Sequence, residues 1–281
     1  MTTDFSVITP CFNANRWIRG CVASVADQEG VAALHIVQDG LSTDGTAEYV
    51  LSEPRIQAES EKDRGMYDAI NKAWAKCTSE YVLHLNADEQ LLPGALATVT
   101  EYFQTHPDVD VVLAGALICN RDGTINCYRR PLKPPLSFLL VCHHPIQSCA
   151  IFLRRSSFTD RPWLYDPSYR NVSDALFMID ILQGGKKIGL LDSFTSVFFL
   201  TGENMSMALS PIILKERQSR RAMVPGWMHA LSPFILMHFR VQKALAGYYR
   251  RRKLEYDLYI PEHEHTRTHF VAERAGGVYQ S

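Results

Sequence analysis

The chain lacks the short signatures of the commonest nucleotide enzymes. No GxGxxG turn and no GxxxxGK[ST] loop occurs, which removes the main support for a Rossmann dehydrogenase or a P-loop NTPase. The GxSxG elbow of Ser-His-Asp hydrolases is missing as well. Seven cysteines (Cys11, Cys21, Cys77, Cys119, Cys127, Cys142 and Cys149) form an odd set with no CxxC pair, and most lie inside apolar runs as small core residues do. A structural zinc site is therefore not expected, and a reduced, cytosolic compartment fits best. The first apolar run begins near Phe5, too early for a charged n-region followed by an apolar h-region, so export by that route is not expected. Trp227 to Phe239 is apolar, yet Pro225, His229, Pro233 and His238 make it a poor spanning helix. No internal repeat or low-complexity segment is visible.

What is present is an ordinary globular composition. With 281 residues, 46% hydrophobic and 21% charged, the chain can bury one large core or a core plus an appendage. Phe5 to Pro10 reads as a buried strand halted by proline, and Asn13 can cap a helix with Trp17, Ile18, Cys21, Val22 and Val25 on one face. Leu34 to Gln38 is a second strand closed by Asp39-Gly40, after which Ser42 or Thr43 can cap a helix to Leu51. Met66, Ala69, Ile70, Ala73, Trp74 and Cys77 form a helical stripe, and Tyr81 to Asn86 a strand. A helix from Pro93 with Leu96, Val99 and Phe103 inward, and a strand from Val109 to Ile118, continue the alternation. It predicts an α/β fold with a mostly parallel central sheet flanked by helices, and ligands at the carboxyl ends of the strands. Beyond residue 120 the pattern weakens. Ala150 to Arg154 reads as a strand, Asp174 to Gln183 as a helix capped by Ser173, and Ile188–Leu191 and Thr195–Leu200 as two short strands.

The chemistry-bearing residues cluster at the strand ends. Asp39 alone is most simply a turn residue before Gly40, and Asp88 an ordinary loop carboxylate with Glu89 a solvated neighbour. Their company changes that. Ser6-Val-Ile-Thr-Pro-Cys-Phe-Asn13, Val37-Gln-Asp-Gly-Leu-Ser-Thr-Asp-Gly-Thr46, Glu61-Lys-Asp-Arg-Gly-Met-Tyr-Asp-Ala-Ile-Asn-Lys72 and Leu83-His-Leu-Asn-Ala-Asp-Glu89 occur in order. Together they resemble the family 2 glycosyltransferases of GT-A fold, above all the bacterial branch that builds surface polysaccharides.

That resemblance implies a nucleotide-sugar donor, UDP-linked, with Pro10, Phe12 and Asn13 beside the nucleobase and Asp39 on uracil or ribose. It implies Asp63 and Arg64 on the nucleotide-sugar, and Asn86-Ala87-Asp88 in the DxD position with Asp88 on a divalent metal, Mn or Mg. Gln38 and Asn86 depart from the family by replacing carboxylates, and Asn86 should weaken metal binding. Val172-Ser-Asp-Ala-Leu-Phe-Met-Ile-Asp180 resembles the helix that carries the general base, so Asp174 would deprotonate an acceptor hydroxyl in an inverting displacement. The alternative for Asp174 is a helix cap. His144 and Gln147 would shape the acceptor or diphosphate site, and Thr201-Gly-Glu-Asn-Met-Ser206 resembles the loop after the last strand. A non-catalytic nucleotide-sugar-binding subunit of an assembly complex, and a nucleotidyltransferase, are the rival readings.

The net charge of −1 hides an asymmetry. Between Pro211 and Lys253 ten Lys/Arg stand against the single Glu216, and the rest of the chain is acidic. The expected organisation is a catalytic domain over 1–205 (donor half 1–118, acceptor half 119–205) and a helical, basic and apolar extension over 206–281. The extension suits either an anionic membrane surface, at the cytoplasmic face where a saccharide or lipid-linked saccharide acceptor would be met, or packing against the domain or a second copy in a homodimer. Nucleic-acid binding lacks a recognised motif. Pro261 to Ser281 reads as a polar tail with no assignable role.

Overall fold

The computed structural model describes residues 4–202, 204, 211–261 and 263–278. Four short β-rich runs of the first third become parallel strands: β1 (Phe5–Cys11), β2 (Ala33–Asp39), β3 (Gln57–Ser60) and β4 (Tyr81–His84), ordered β3-β2-β1-β4. β1 and β4 are buried throughout because helices cover both faces. Side chains alternate across the sheet, so Phe5 and Val7 pack with α1 (Ile18–Ala26), while Ile8 packs on the other face with α3 (Met66–Trp74). Between them α2 (Thr46–Ser52) returns the chain from β2 to β3. In register, Cys11 stands opposite Asp39, and Asp39 opposite Ser60. The loops leaving these strands therefore share one edge.

The sheet then becomes mixed. After β5 (Glu89–Leu91), α4 (Ala95–Thr105), β6 (Val111–Asn120), β7 (Ile125–Arg129) and α5 (Leu136–Val141), strand β8 (Ile151–Arg154) inserts antiparallel between β4 and β6. Helix α6 (Ser173–Gln183) covers the α3 face, and β9 (Ile188–Leu200) runs parallel to β6. The expected pair of short strands is this one strand. Its polar break at Asp192-Ser193 is a bulge, marked by register shifts on either side of Gly115.

The extension is helical up to Leu245, in α7 (Pro211–Ala222), α8 (Gly226–Ala230) and α9 (Ser232–Leu245). No helix among the described residues is long and apolar enough to cross a membrane. Beyond α9, where the helical extension was expected to continue and a polar tail to begin at Pro261, β10 (Arg252–Ile260) and β11 (His263–Ala275) form an antiparallel hairpin. Tyr256 and Leu258 alternate inward onto Leu117, Cys119 and Tyr128. The Gln90 side chain pairs with both backbone groups of Tyr259 at 2.8 and 3.0 Å, and Arg267 grips Asp27 through two nitrogens at 2.6 and 2.8 Å.

Candidate active site

The carboxyl edge of β1 and β2 is a closed polar network. Asp39 is fully buried, and its Oδ2 accepts hydrogen bonds from the Ser60 hydroxyl at 2.6 Å and the Ser42 N–H at 3.0 Å. The Ser42 hydroxyl donates to its Oδ1, and the Cys11 thiol lies 3.6 Å from the same oxygen. Asn13 sits in the left-handed region at φ 49°, so it does not cap α1, which begins four residues after the expected start of the helix. Instead its N–H donates to Ser42 and its Oδ1 accepts the Thr43 N–H at 2.9 Å, tying the two loops together. Pro10 is buried within β1, and Phe12 stands 64% exposed at the edge. Phe12 and Asp63 converge on Gly40, where a Cβ would lie 3.4 Å from the ring and 2.5 Å from Asp63 Oδ2. A side chain at position 40 would push the Asp63 carboxylate aside. Arg64 is not drawn in: it is exposed, with its guanidinium paired to Asp68 at 2.7 Å.

Past β4 the chain turns through Asn86, Ala87 and Asp88. Asn86 Oδ1 bonds His84 Nε2 at 2.9 Å, and its N–H donates to Glu89 Oε2 at 2.7 Å. Glu89 is not the solvated neighbour expected from sequence; it is 1% exposed, paired through β5 with β9, which carries it inward. Burial and the adjacent Asp88 push its carboxyl up to about 8. Asp88 is half-buried, and its Oδ2 accepts from the Asn204 amide at 3.2 Å. Burial pushes its carboxyl up to about 6. Asn204 belongs to the loop after β9, of which Glu203, Met205 and Ser206 lie outside the described residues.

Asp174 opens α6 in its first turn. Its Oδ1 accepts the Tyr67 hydroxyl at 3.2 Å and the Ala175 N–H at 2.8 Å. Both hydrogen bonds fall on Oδ1, so Oδ2 is left unengaged among the described residues. Ser173 does not cap the helix, because Val172 holds the cap position without a side-chain bond. Tyr67 and Tyr165 pack with tilted rings, 5.3 Å between centroids, and Tyr165 meets His84 edge-on at 5.6 Å. Burial lowers His84 to about 4, against the raising influence of Asp174, and lowers His144 in the same way. Among the described residues neither ring nitrogen of His144, nor Oε1 of Gln147, reaches a protein partner. The loop ahead of α6 is fastened from below by Glu216 of α7, which accepts the N–H groups of Arg170 and Asn171 at 2.6 and 2.8 Å.

A family model described as glycosyl transferase family 2 matches residues 6–160. The chain belongs to this family. A chondroitin synthase of Escherichia coli is 27% identical over 147 residues, covering 50% of this chain and 21% of that protein. The family 2 chain thus spans about a fifth of that relative's length. A PGL/p-HBAD biosynthesis glycosyltransferase of Mycobacterium tuberculosis is 29% identical over 187 residues, 62% of this chain and 68% of that one. Among solved structures, S. aureus TarS 1-349 in complex with UDP-GlcNAc superposes with a TM-score of 0.60 at 20% identity, covering 86% of this chain and 72% of that one. The mannosyltransferase PcManGT of Pyrobaculum calidifontis, in complex with GDP-Man and Mn2+, gives 0.56 at 17% identity, with 88% and 76% covered. These likenesses establish the GT-A fold.

Within this family 2 site several residues were not read from sequence. Tyr67 and His84 lie inside quoted motifs but look like core and strand residues. Asn204 lies in the quoted loop Thr201 to Ser206 without a role having been read for it, whereas Tyr165 and Glu216 have no motif around them and only the fold brings them in. Among the described residues no three His, Cys, Asp or Glu side chains gather to hold a metal ion. Asp88 alone offers a carboxylate at the DxD position, buried enough that a cation would offset its desolvation. That fits an ion completed by phosphate oxygens, as Mg²⁺ commonly is.

Proposed function

We propose that this chain transfers a sugar from a nucleotide-sugar, UDP-linked, to a saccharide or lipid-linked saccharide acceptor with inversion. The observation that carries the reading is the pairing of roles at one strand edge: Asp88 half-buried with a single amide partner, and Asp174 held by Tyr67 through one oxygen only. The named activities of the chondroitin synthase and mycobacterial relatives support the reaction class.

In this reading residues 1–118 hold the donor and 119–205 shape the acceptor side. Phe12 offers an exposed ring to the base and Asp63 a carboxylate against Gly40. Asp174 Oδ2 takes the proton from the acceptor hydroxyl as its oxygen attacks the anomeric carbon. The bond from that carbon to the diphosphate oxygen breaks on the opposite face, which inverts the centre. Tyr67 and the Ala175 N–H steady the carboxylate in the orientation a general base needs. A divalent metal, Mn or Mg, held by Asp88 and the diphosphate, would neutralise charge on the leaving group. His144 and Gln147 present unused hydrogen-bonding atoms toward the acceptor half.

The test is a panel of nucleotide-sugars with and without Mn, followed by binding and by donor turnover. UDP-sugar binding with metal-dependent turnover is expected, and Asp88→Ala should weaken metal-dependent donor binding about 10- to 100-fold. Binding without any turnover would favour a non-catalytic donor-binding subunit, and no binding at all would overturn both readings.

A further inference from the structure

Nine of the seventeen large hydrophobic side chains that stand exposed among the described residues lie between Ile212 and Leu245. Six of them, Trp227, Leu231, Phe234, Met237, Val241 and Leu245, recur every three or four residues. That spacing draws one stripe along α8 and α9, since Leu231 between the two helices keeps helical dihedrals. The stripe is not a core face left undocked. The opposite side of α9 is already packed: Phe239 is 2% exposed with its ring 4.2 Å from that of Phe138, and Lys243 lies over Phe239 and Tyr248 at 4.8 and 4.7 Å. A helix packed on one side and apolar on the other has two apolar faces, and only one belongs to the fold.

The charges around the stripe are of one sign. Lys215, Arg221, Arg240, Arg250 and Arg251 are all exposed, with Arg240 inside α9 and Arg250-Arg251 just beyond its end. The one acid of the region, Glu216, is 8% exposed and spent on the backbone of Arg170 and Asn171. No carboxylate of these three helices faces outward among the described residues. An apolar stripe bearing Trp, Phe and Leu with uncompensated arginines beside it complements a surface that is apolar within and negative at its skin. No helix among the described residues is long and apolar enough to cross a membrane, and Arg240 and Lys243 stand within α9 itself. The helix is suited to lie in an interface and not to span it.

We propose that the outward face of α8 and α9 seats the chain on an anionic lipid surface, with the stripe in the acyl boundary and the arginines among the headgroups. The inner face of the same helix lines a cleft with Ile146 and Gln147, so the acceptor half of the chain is the half brought to the lipid. The seat stands independently of the donor reading.

Flotation of the full chain with phosphatidylglycerol-containing vesicles, with pure phosphatidylcholine vesicles and without vesicles tests the proposal. Binding to the anionic vesicles is expected, falling steeply with salt and largely absent from the neutral ones. The double variant Phe234→Glu with Leu245→Glu should cut the bound fraction by on the order of ten-fold. Both side chains are mostly exposed, at 73% and 83%, so its thermal melting should match the parent. Arg250→Glu with Arg251→Glu should weaken binding and flatten its salt dependence. Failure to float with anionic vesicles overturns the proposal, as does equal binding to neutral ones. A dimer in light scattering that does not float, and that the Phe234/Leu245 variant breaks, would instead make the face a contact between two copies.

Discussion

At the carboxyl edge of β1 and β2 the side chains of Asp39, Asn13 and Asp63 are answered, although Asn15 Oδ1 nearby and Glu89 Oε1 beside Asp88 are buried without a partner among the described residues. Asp39 is held by Ser42 and Ser60, Asn13 by Ser42 and Thr43, and Asp63 accepts the Gly65 N–H at 2.7 Å. On the acceptor side more is left open at one place: among the described residues both nitrogens of His144, Oε1 of Gln147 and the Ser173 hydroxyl are buried without a protein partner, and the bonds to Asp174 fall on one oxygen of two. A buried polar atom without a partner costs about 1–3 kcal/mol, so such groups stand out in a native fold. The contrast teaches that a site can be stiff where its ligand is invariant and open in hydrogen bonding where its ligand supplies the missing partners. A nucleoside diphosphate is the same in every turnover, and an acceptor sugar is the part that distinguishes one member of a family from the next.

The contrast can be broken in several places. The largest effect is expected at Asp174→Asn, which should lower turnover by on the order of 10³-fold while leaving donor affinity within a factor of about two. Loss of donor binding in that variant would show that the two sides are not separable. Next, Asp39→Ala should cost about 2–4 kcal/mol in urea unfolding, because Ser42 and Ser60 lose their shared acceptor. The matching change on the other side, His144→Leu, should cost less than about 1.5 kcal/mol, with its penalty appearing in the acceptor KM. Equal stability losses would erase the distinction.

A smaller effect should follow pH. Burial holds His84 at about 4, below its ordinary value, so between pH 6.5 and 4 the unfolded chain binds the proton that the folded one excludes. Stability should therefore fall as pH drops through that window, with His84 contributing about 2 kcal/mol of loss between pH 7 and 5. His84→Gln, which keeps a donor for Asn86, should flatten that part of the stability curve.

The sequence was most legible where local pattern and chemistry coincide. Strands β1, β2, β4 and β6 and helices α1, α3, α4 and α6 follow from apolar periodicity, within a few residues at their ends. β3 escaped notice because Gln57-Ala-Glu-Ser60 is four residues with no apolar signature, and β5 because its pairing partner lies a hundred residues on. The C-terminal hairpin did carry a signal, the period-two series Leu254, Tyr256, Leu258 and Ile260, masked by the basic residues around it. The motifs picked out Phe12, Asp39, Asp63, Asp88 and Asp174 because their spacing is local. Tyr165 and Glu216 have no local spacing to read, and the Thr201 to Ser206 motif did not reveal that its Asn204 meets Asp88, since each is joined to its partner by tertiary structure alone.

The links from the hairpin back to the first domain have a consequence in time. Gln90 and Tyr259 are 169 residues apart, and Asp27 and Arg267 are 240 apart. At a synthesis rate of about 5–20 residues per second, the edge formed by α1 and β5 waits roughly ten to fifty seconds on the ribosome for its covering strand. During that interval Asp27 and Gln90 lack the partners that later fix them. That side of a nascent chain is thus completed last, after β9 has paired with β5 and the hairpin has arrived to cover it.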